Sequence, residues 1–191
     1  MYENKIKFKE WFSKKGKDFF IKNGVRQGFK VIEFGAGSGN YTIPLAQAVG
    51  PNGVVYAVES DHAKYLDIEK KLKKYSILNV VIYDTDGKID LNIGSEFDFF
   101  IAYDVIHYFS NIDRKQFYKM AFNILKKEGI FSVLPKHRRG DQLPIGSIGN
   151  MELSEIKDEI MGYGFKYNSS IEEEIVHDDS FVFETVINFI K

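Results

Sequence analysis

A strand, a glycine-rich loop and a helix over residues 30–49 constrain the fold of this chain more than any other segment. The apolar run over 30–35 predicts a buried strand, helical periodicity begins near Tyr41, and glycine occupies alternate positions between them: Gly35, Gly37 and Gly39. Because glycine has no Cβ, the backbone amides of such a loop can approach a ligand closely, and the helix N-terminus adds unpaired N–H groups and a positive dipole end. The segment predicts a site for a nucleotide-like cofactor, with a plain glycine turn as the alternative.

The spacing of these glycines separates two cofactor classes. The dinucleotide fingerprint G-x-G-x-x-G requires its third glycine where Asn40 stands. The observed pattern E-x-G-x-G-x-G resembles motif I of class I S-adenosylmethionine (SAM) methyltransferases, which usually carry Asp at the position of Glu33. The resemblance implies SAM as the cofactor and S-adenosylhomocysteine as its product. It also implies cofactor contacts from the motif itself: Glu33, Gly35, Ala36, Gly37 and Gly39.

A second acid follows at the end of the next predicted strand. Residues 53–59 form a β-branched run that ends in Glu59 and is followed by Ser60, about twenty residues after the glycine loop. One carboxylate can accept both hydroxyl protons of a ribose diol. Both cofactor classes use an acid in this way, so Glu59 indicates an adenosine ligand without choosing between them. A role in starting the helix from Asp61 is compatible with this function.

Two further cofactor contacts follow from the resemblance. The family places an adenine contact after its third strand, where this chain has Asp84, Thr85 and Asp86. An acidic turn that caps itself is the alternative interpretation of those residues. Ala102 and Tyr103 end the fourth predicted strand, and the carboxyl ends of strands one and four flank the ligand crevice of such sheets.

Strand and helix patterns alternate along most of the chain. We predict strands at 30–35, 53–59, 79–83, 97–103 and 129–134, with helices at 8–23, 41–49, 61–75, 111–126 and 152–162. The last β-rich runs, at 164–167 and 181–190, have no helix between them and must pair antiparallel. We therefore expect a doubly wound α/β fold: a mostly parallel seven-stranded sheet, helices on both faces and a C-terminal antiparallel hairpin. One domain covers 1–191, with an N-terminal helical segment over 1–25.

The resemblance extends over nearly the whole chain. Leu125–Ile130 is similar to the L-K-P-G-G turn before the fifth strand of the family, and Phe97–His107 to its fourth-strand motif. The closest similarity is to the small ubiquinone/menaquinone-biosynthesis-like (type 11) methyltransferases. This implies methyl transfer, an in-line displacement that mainly needs alignment of the reacting atoms.

Three residues are candidates for a catalytic base or an acceptor contact: Asp104, His107 and His137. A packed histidine is the alternative for His107. The basic run 136–139 suits an anionic acceptor or a solvated loop, and the glycine-rich segment 135–150 is predicted to be a substrate-side loop. We interpret residues 177–179, His-Asp-Asp, as a solvated hairpin turn, and we assign no metal site.

Composition limits the remaining possibilities. The formal net charge is −1, which implies no strong overall attraction to nucleic acid or membrane. The chain has no cysteine, which excludes a thiol nucleophile, a disulfide framework and a thiolate metal site. The absence of a long apolar run or a secretory segment predicts a cytoplasmic protein without membrane contact. Lysines over 5–22 are compatible with RNA, but the overall charge and the Ala-Tyr-Asp-Val end of strand four favour a small-molecule acceptor. A protein acceptor, a non-catalytic SAM-binding module or partner subunit, and an NAD-dependent oxidoreductase are the alternatives. The oligomeric state is not predicted.

Overall fold

One mixed sheet runs through the molecule, of which a computed structural model describes residues 2–85, 94 and 96–191. Within these residues the sheet has seven strands: β1 (Lys30–Phe34), β2 (Val54–Glu59), β3 (Val80–Asp84), β4 (Phe97–Tyr103), β5 (Leu125–Leu134), β6 (Lys166–His177) and β7 (Ser180–Ile190). Their order across the sheet is β3-β2-β1-β4-β5-β7-β6.

The first five strands are parallel, and the order reverses between β1 and β4. Val31 lies opposite Val55 of β2 on one side and Phe99 of β4 on the other. Strand β7 is antiparallel to both β5 and β6. This confirms the predicted sheet, its reversal point and its C-terminal hairpin.

Helices cover both faces of the sheet: α1 (Tyr2–Glu10), a π-helical segment (Trp11–Lys15), α2 (Gly16–Lys22), α3 (Thr42–Val49), α4 (His62–Lys74), α5 (Asn111–Ile124) and α6 (Leu153–Met161). Helix α4 begins where the Asp61 carboxylate accepts a hydrogen bond from the Ala63 N–H at 2.8 Å. The Ser110 hydroxyl caps α5 in the same way by accepting from the Asp113 N–H. In the part of the chain that the structure describes, none of the helices has the length and apolar character needed to cross a bilayer.

The core lies on both sides of the sheet because successive strand residues point to opposite faces. In β4, Phe100 packs in a cluster with residues of α5 and α6. Its neighbours Phe99 and Ile101 pack on the other face with residues of α2 and α3. All three side chains are at most 1% exposed. A parallel sheet covered on both faces is the doubly wound architecture that the alternating pattern predicts.

Besides β5, which starts at Leu125 instead of 129, two elements extend several residues beyond their predicted bounds. The first helix starts at Tyr2 instead of residue 8, within the predicted helical segment 1–25, and it contacts the β6–β7 hairpin: Lys7 pairs with Glu174 at 2.6 Å and the rings of Phe8 and Phe181 lie 5.0 Å apart. Strand β6 starts at 166 but continues to His177, well past the predicted 164–167. Its middle part is an edge strand rich in glutamate, so it lacks the apolar pattern of a buried strand.

Candidate functional site

The carboxyl ends of the parallel strands open into a cleft of about 760 Å³. Its walls are the glycine loop 35–41, the residues that follow β2, β3 and β4, and the tip of the β6–β7 hairpin. The cleft lies at the reversal of strand order, where open α/β sheets bind their ligands. Small-molecule sites typically occupy roughly 300–1,000 Å³, so this volume suits a nucleoside cofactor together with a small acceptor.

The three glycines of the loop have different roles. All have positive φ, at +76° for Gly35, +55° for Gly37 and +81° for Gly39, which L-residues rarely adopt. A Cβ on Gly35 would collide with Val105, and one on Gly39 would meet Ile68 at 3.3 Å. A Cβ on Gly37 would have no atom of the described residues within 4 Å. Gly37 therefore presents bare backbone to the cleft, whereas Gly35 and Gly39 allow close packing behind it.

Glu59 lies beside this bare backbone and lines the cleft. Its Oε2 accepts a hydrogen bond from the Gly37 N–H at 2.6 Å, and its Oε1 accepts from the N–H groups of Ser60 and Asp61, both at 2.8 Å. A carboxylate has about four acceptor positions, so one remains for a ribose hydroxyl. Ser60 also lines the cleft. Asp61 meanwhile caps α4, so the start of this helix does not conflict with the predicted role of Glu59 in binding a ribose.

Glu33 lies beneath the loop and does not line the cleft. It is 2% exposed and accepts a hydrogen bond from the Thr42 hydroxyl at 2.6 Å. Burial raises the pKa of Glu33 to about 8, partly offset by the Thr42 hydrogen bond. Glu33 therefore connects β1 to the first residue of α3 and positions the loop from below.

The other residues predicted to contact the cofactor also fall into two groups, those that line the cleft and those that do not. Thr85 and Tyr103 line the cleft, whereas Ala102, Gly39 and Asp84 do not. Ala102 is fully buried in β4. The Tyr103 hydroxyl lies 2.8 Å from the Ser132 hydroxyl, and burial raises the pKa of Tyr103. Asp86 lies outside the described residues.

Asn40, the residue that departs from the dinucleotide fingerprint, ties the loop to its surroundings. Its carbonyl accepts from the Trp11 indole at 2.8 Å, and its side-chain oxygen accepts from the Lys71 ammonium at 2.6 Å. Its side-chain NH₂ donates to the carbonyl of Asp178 at 3.1 Å. Burial lowers the pKa of Lys71 to about 8. The N-terminal helical segment, α4 and the hairpin tip thus all hold the glycine loop.

The three candidate catalytic residues come together on the other side of the cleft. The Asp104 Oδ1 lies 3.4 Å from His107 Nδ1 and 3.5 Å from His137 Nε2. The His107 side chain is 2% exposed, and the rings of His107 and His137 lie 4.4 Å apart. Asp104 lines the cleft, while the two histidines do not.

His177 joins this group, so its interpretation as part of a solvated turn was wrong. Its Nε2 lies 2.9 Å from Asp104 Oδ2, and its side chain is 20% exposed. Because β7 is antiparallel to both neighbours, β6 runs in the same direction as the parallel strands. The carboxyl end of β6 therefore lies at the same edge of the sheet as Asp104.

Part of the cleft lining was missed from the sequence. The hairpin brings Val176, Asp178 and Asp179 to it, and the region after β4 brings Tyr108 and Phe109. For the hairpin one signal was available, since a polar His-Asp-Asp group ends a strand whose direction follows from antiparallel pairing. For the aromatic residues the sequence carried no comparable signal.

The basic residues of the predicted substrate-side loop face carboxylates. Lys136 pairs with Glu184, Arg138 with Asp141 at 3.0 Å, and Arg139 with Glu152 at 3.7 Å. Lys136, Arg138 and Arg139 are not part of the cleft lining. Of the two interpretations of 136–139, an anion-binding run or a solvated loop, these ion pairs argue against the anion-binding run. The loop contributes His137, whose Nδ1 donates to the carbonyl of Leu143 at 2.7 Å.

Comparisons of sequence place this chain among methyltransferases. The methyltransferase domain family matches residues 31–129, about half of the chain. A curated relative, the catalytic subunit of the tRNA (adenine(58)-N(1))-methyltransferase of Cryptococcus neoformans, is 40% identical over 57 residues. These residues are 30% of this chain and only 13% of that relative, so the likeness concerns a shared domain and not the whole protein.

Solved structures share the fold over most of the chain. A SAM-dependent methyltransferase from Aquifex aeolicus has a TM-score of 0.74 at 16% identity and covers 95% of this chain and 92% of its own. The magnesium protoporphyrin IX methyltransferase of Synechocystis, solved with bound SAM, has a TM-score of 0.65 at 16% identity, covering 92% and 76%. The chain therefore belongs to the methyltransferase domain family and has the class I methyltransferase fold.

Proposed function

We propose that this chain transfers a methyl group from SAM to a small acceptor that is neutral or cationic. The charge of the cleft carries this proposal. Among its described lining residues one is a lysine, Lys64, and five are acids: Glu59, Asp61, Asp104, Asp178 and Asp179. Affinity for nucleic acid depends on neutralising phosphates with basic side chains. The acidic side chains of this lining repel phosphates instead. RNA is the substrate named for several curated relatives, but the matched segments make up only 13% to 29% of their lengths.

The side of the cleft at β1, β2 and β3 supports cofactor binding. The bare backbone at Gly37 leaves room for a ligand, the remaining acceptor position of Glu59 suits a ribose hydroxyl, and Thr85 lines the cleft where the family binds adenine. When bound, SAM supplies a methyl group that is already activated on a sulfonium. The protein therefore needs to supply alignment and a shielded pocket.

The opposite side, after β4 and at the hairpin tip, supports acceptor binding. Asp104 lines the cleft with its side chain 24% exposed, and it can accept a proton or a hydrogen bond from an O–H or N–H acceptor. Val105, Tyr108 and Phe109 add an apolar and aromatic surface next to it. Such a surface excludes water and can stack against a flat acceptor.

A matched pair of glycine variants tests the cofactor half. Gly37→Ala should weaken SAM binding at least ten-fold in calorimetric titration, because its methyl group enters the cleft. Gly28 is the control, since it also has positive φ (+82°) and also no described atom within 4 Å of an added Cβ, but it lies outside the cleft. Both variants should lose about 1–2 kcal/mol of stability from left-handed backbone strain, and Gly28→Ala should bind SAM normally. Equal SAM affinities in the two variants would contradict the placement of the cofactor.

The proposed acceptor class is tested by measuring the formation of S-adenosylhomocysteine. The protein with SAM should turn over with members of a panel of small amines and phenols, and not with bulk tRNA, rRNA or unfolded protein. Turnover confined to RNA or protein would overturn the acceptor class. SAM binding with no turnover on any member of the panel would favour the non-catalytic module.

A further inference from the structure

Three of the four histidines of the chain gather around one carboxylate, and we propose that this group binds a divalent transition-metal ion. The ligands are Asp104 Oδ1, His107 Nδ1 and His137 Nε2. One ligand atom from each of these three residues lies within 4.8 Å of the other two. This site differs from the expectation drawn from the sequence, which assigned no metal, and it does not depend on the proposed methyl transfer.

The spacing of the ligand atoms fits a metal coordination sphere. Zinc bonds to nitrogen and oxygen are about 2.0–2.2 Å long, so tetrahedral ligand atoms lie roughly 3.3–3.5 Å apart. Asp104 Oδ1 lies 3.4 Å from His107 Nδ1 and 3.5 Å from His137 Nε2. These separations are long for a direct hydrogen bond, whose usual N–O distance is about 2.9 Å.

The hydrogen bonds that these ligand atoms make and lack support a cation between them. The Nδ1 of His137 donates its proton to the carbonyl of Leu143, which can only accept. With Nδ1 engaged in this way, Nε2 is the ring nitrogen of His137 that can bind a metal, and it lies 3.5 Å from Asp104 Oδ1. Among the described residues, Asp104 Oδ1 and His107 Nδ1 are both buried without a hydrogen-bond partner. Buried polar atoms without a hydrogen-bond partner are unfavourable, and a cation coordinated by both atoms would satisfy them.

The surroundings hold the ligands as they do in known metal sites. Ligating histidines commonly donate their other N–H to a backbone carbonyl, as His137 does, and ligating carboxylates are themselves hydrogen-bonded. The second oxygen of Asp104 lies 2.9 Å from His177 Nε2. Asp104 and His137 also adopt positive φ, +55° and +64°. Residues other than glycine are rarely found in this region, and they concentrate at functional sites.

The ligand types select the class of metal. Two imidazole nitrogens and one carboxylate oxygen suit Zn²⁺ and its neighbours Co²⁺, Ni²⁺ and Fe²⁺, whereas Mg²⁺ and Ca²⁺ prefer oxygen ligands. Three protein ligands leave a coordination position for water or another small ligand. Asp104 also lines the cleft, so the site adjoins the region where we place the acceptor.

The test uses the full chain without a histidine tag, stripped of metal with EDTA and dialysed. Calorimetric titration with Zn²⁺ should show one equivalent bound, and Co²⁺ should give visible d–d bands that Zn²⁺ removes. His137→Ala and Asp104→Asn should each weaken Zn²⁺ binding by more than 100-fold. His177→Ala removes the polar contact with Asp104 Oδ2 and should weaken Zn²⁺ binding by about 10–100-fold.

His62→Ala is the matched control, because His62 is the one histidine outside this group and stacks on Tyr65 on the surface of α4. This variant should bind Zn²⁺ as the wild type does. His137 lies in a loop, so its variant keeps the test valid even if replacing the buried His107 disrupts folding. The proposal is overturned if the wild type shows no saturable Zn²⁺ binding, or if His137→Ala and His62→Ala bind Zn²⁺ equally well.

Discussion

Replacing Glu33 with Gln should remove a pH dependence from the stability of this protein. Glu33 lies beneath the glycine loop, 2% exposed, with the Thr42 hydroxyl as a hydrogen-bond donor. Burial disfavours its charged form and raises its pKa from 4.5 to about 8. The folded protein therefore holds a proton on Glu33 at pH values where the unfolded chain has released it.

The direction and size of the pH dependence follow from the difference between the folded and unfolded pKa values of Glu33. Between the unfolded pKa of 4.5 and the folded pKa of about 8, the folded state binds more protons, so the free energy of unfolding falls as the pH rises. Below 4.5 and above about 8 the contribution of Glu33 is constant. With about 1.36 kcal/mol for each pKa unit, the wild type should lose about 4 kcal/mol between about pH 5 and about pH 9 through this residue alone.

Urea denaturation of the wild type and Glu33→Gln at both pH values measures this quantity. Other titrating groups act equally on both proteins, so the difference between their free energies of unfolding isolates Glu33. That difference should move in favour of Gln by about 4 kcal/mol from the lower to the higher pH. Thr42→Val removes the hydrogen bond that lowers the pKa of Glu33 in the folded state, and should extend the pH-dependent range to higher pH. A difference that is the same at both pH values would refute a neutral Glu33.

Two further substitutions test the cleft and the core. Glu59→Ala should weaken SAM binding ten-fold or more in calorimetry, since charge-assisted hydrogen bonds contribute about 1.5–3 kcal/mol; unchanged affinity would remove Glu59 from the site. Glu159→Ala should lower the free energy of unfolding by about 3 kcal/mol in urea, because it leaves a buried guanidinium unpaired. In the intact protein, Arg114 donates to both carboxylate oxygens of Glu159, at 2.6 and 2.8 Å. Replacing the exposed Glu172 instead should change stability little, and equal losses would contradict the role of this pair.

The parallel half of the sheet was predictable because local patterns determine it. Strand β4 was predicted with its observed bounds, and β1, β2 and β3 to within one residue, since each is a short apolar run between turn signals. The reversal of strand order follows from the family resemblance. Strand β5 starts at Leu125, directly after α5, instead of at 129. Its first residues form an irregular pairing beside Phe97, which a pattern of apolar residues does not reveal.

The candidate site was predictable where it is built from neighbours in sequence. The bare backbone at Gly37 and the acid at Glu59 follow from spacing alone. The contact between Asp104 and His177 does not, because it depends on how far the glutamate-rich β6 extends. The exposure of individual residues could not be predicted from the sequence either. Glu33 and Ala102 belong to the expected motifs, yet both are buried and neither lines the cleft.

The position of β7 between β5 and β6 has a consequence for synthesis on the ribosome. Strand β6 emerges first but joins the rest of the sheet only through β7. Until β7 is made, a nascent chain can assemble the five parallel strands and the glycine loop, while the edge of β5 stays open and His177 has no fixed position. Open edges of this kind invite pairing with other chains. The interval before β7 emerges is therefore a stage at which the chain is exposed to misassembly.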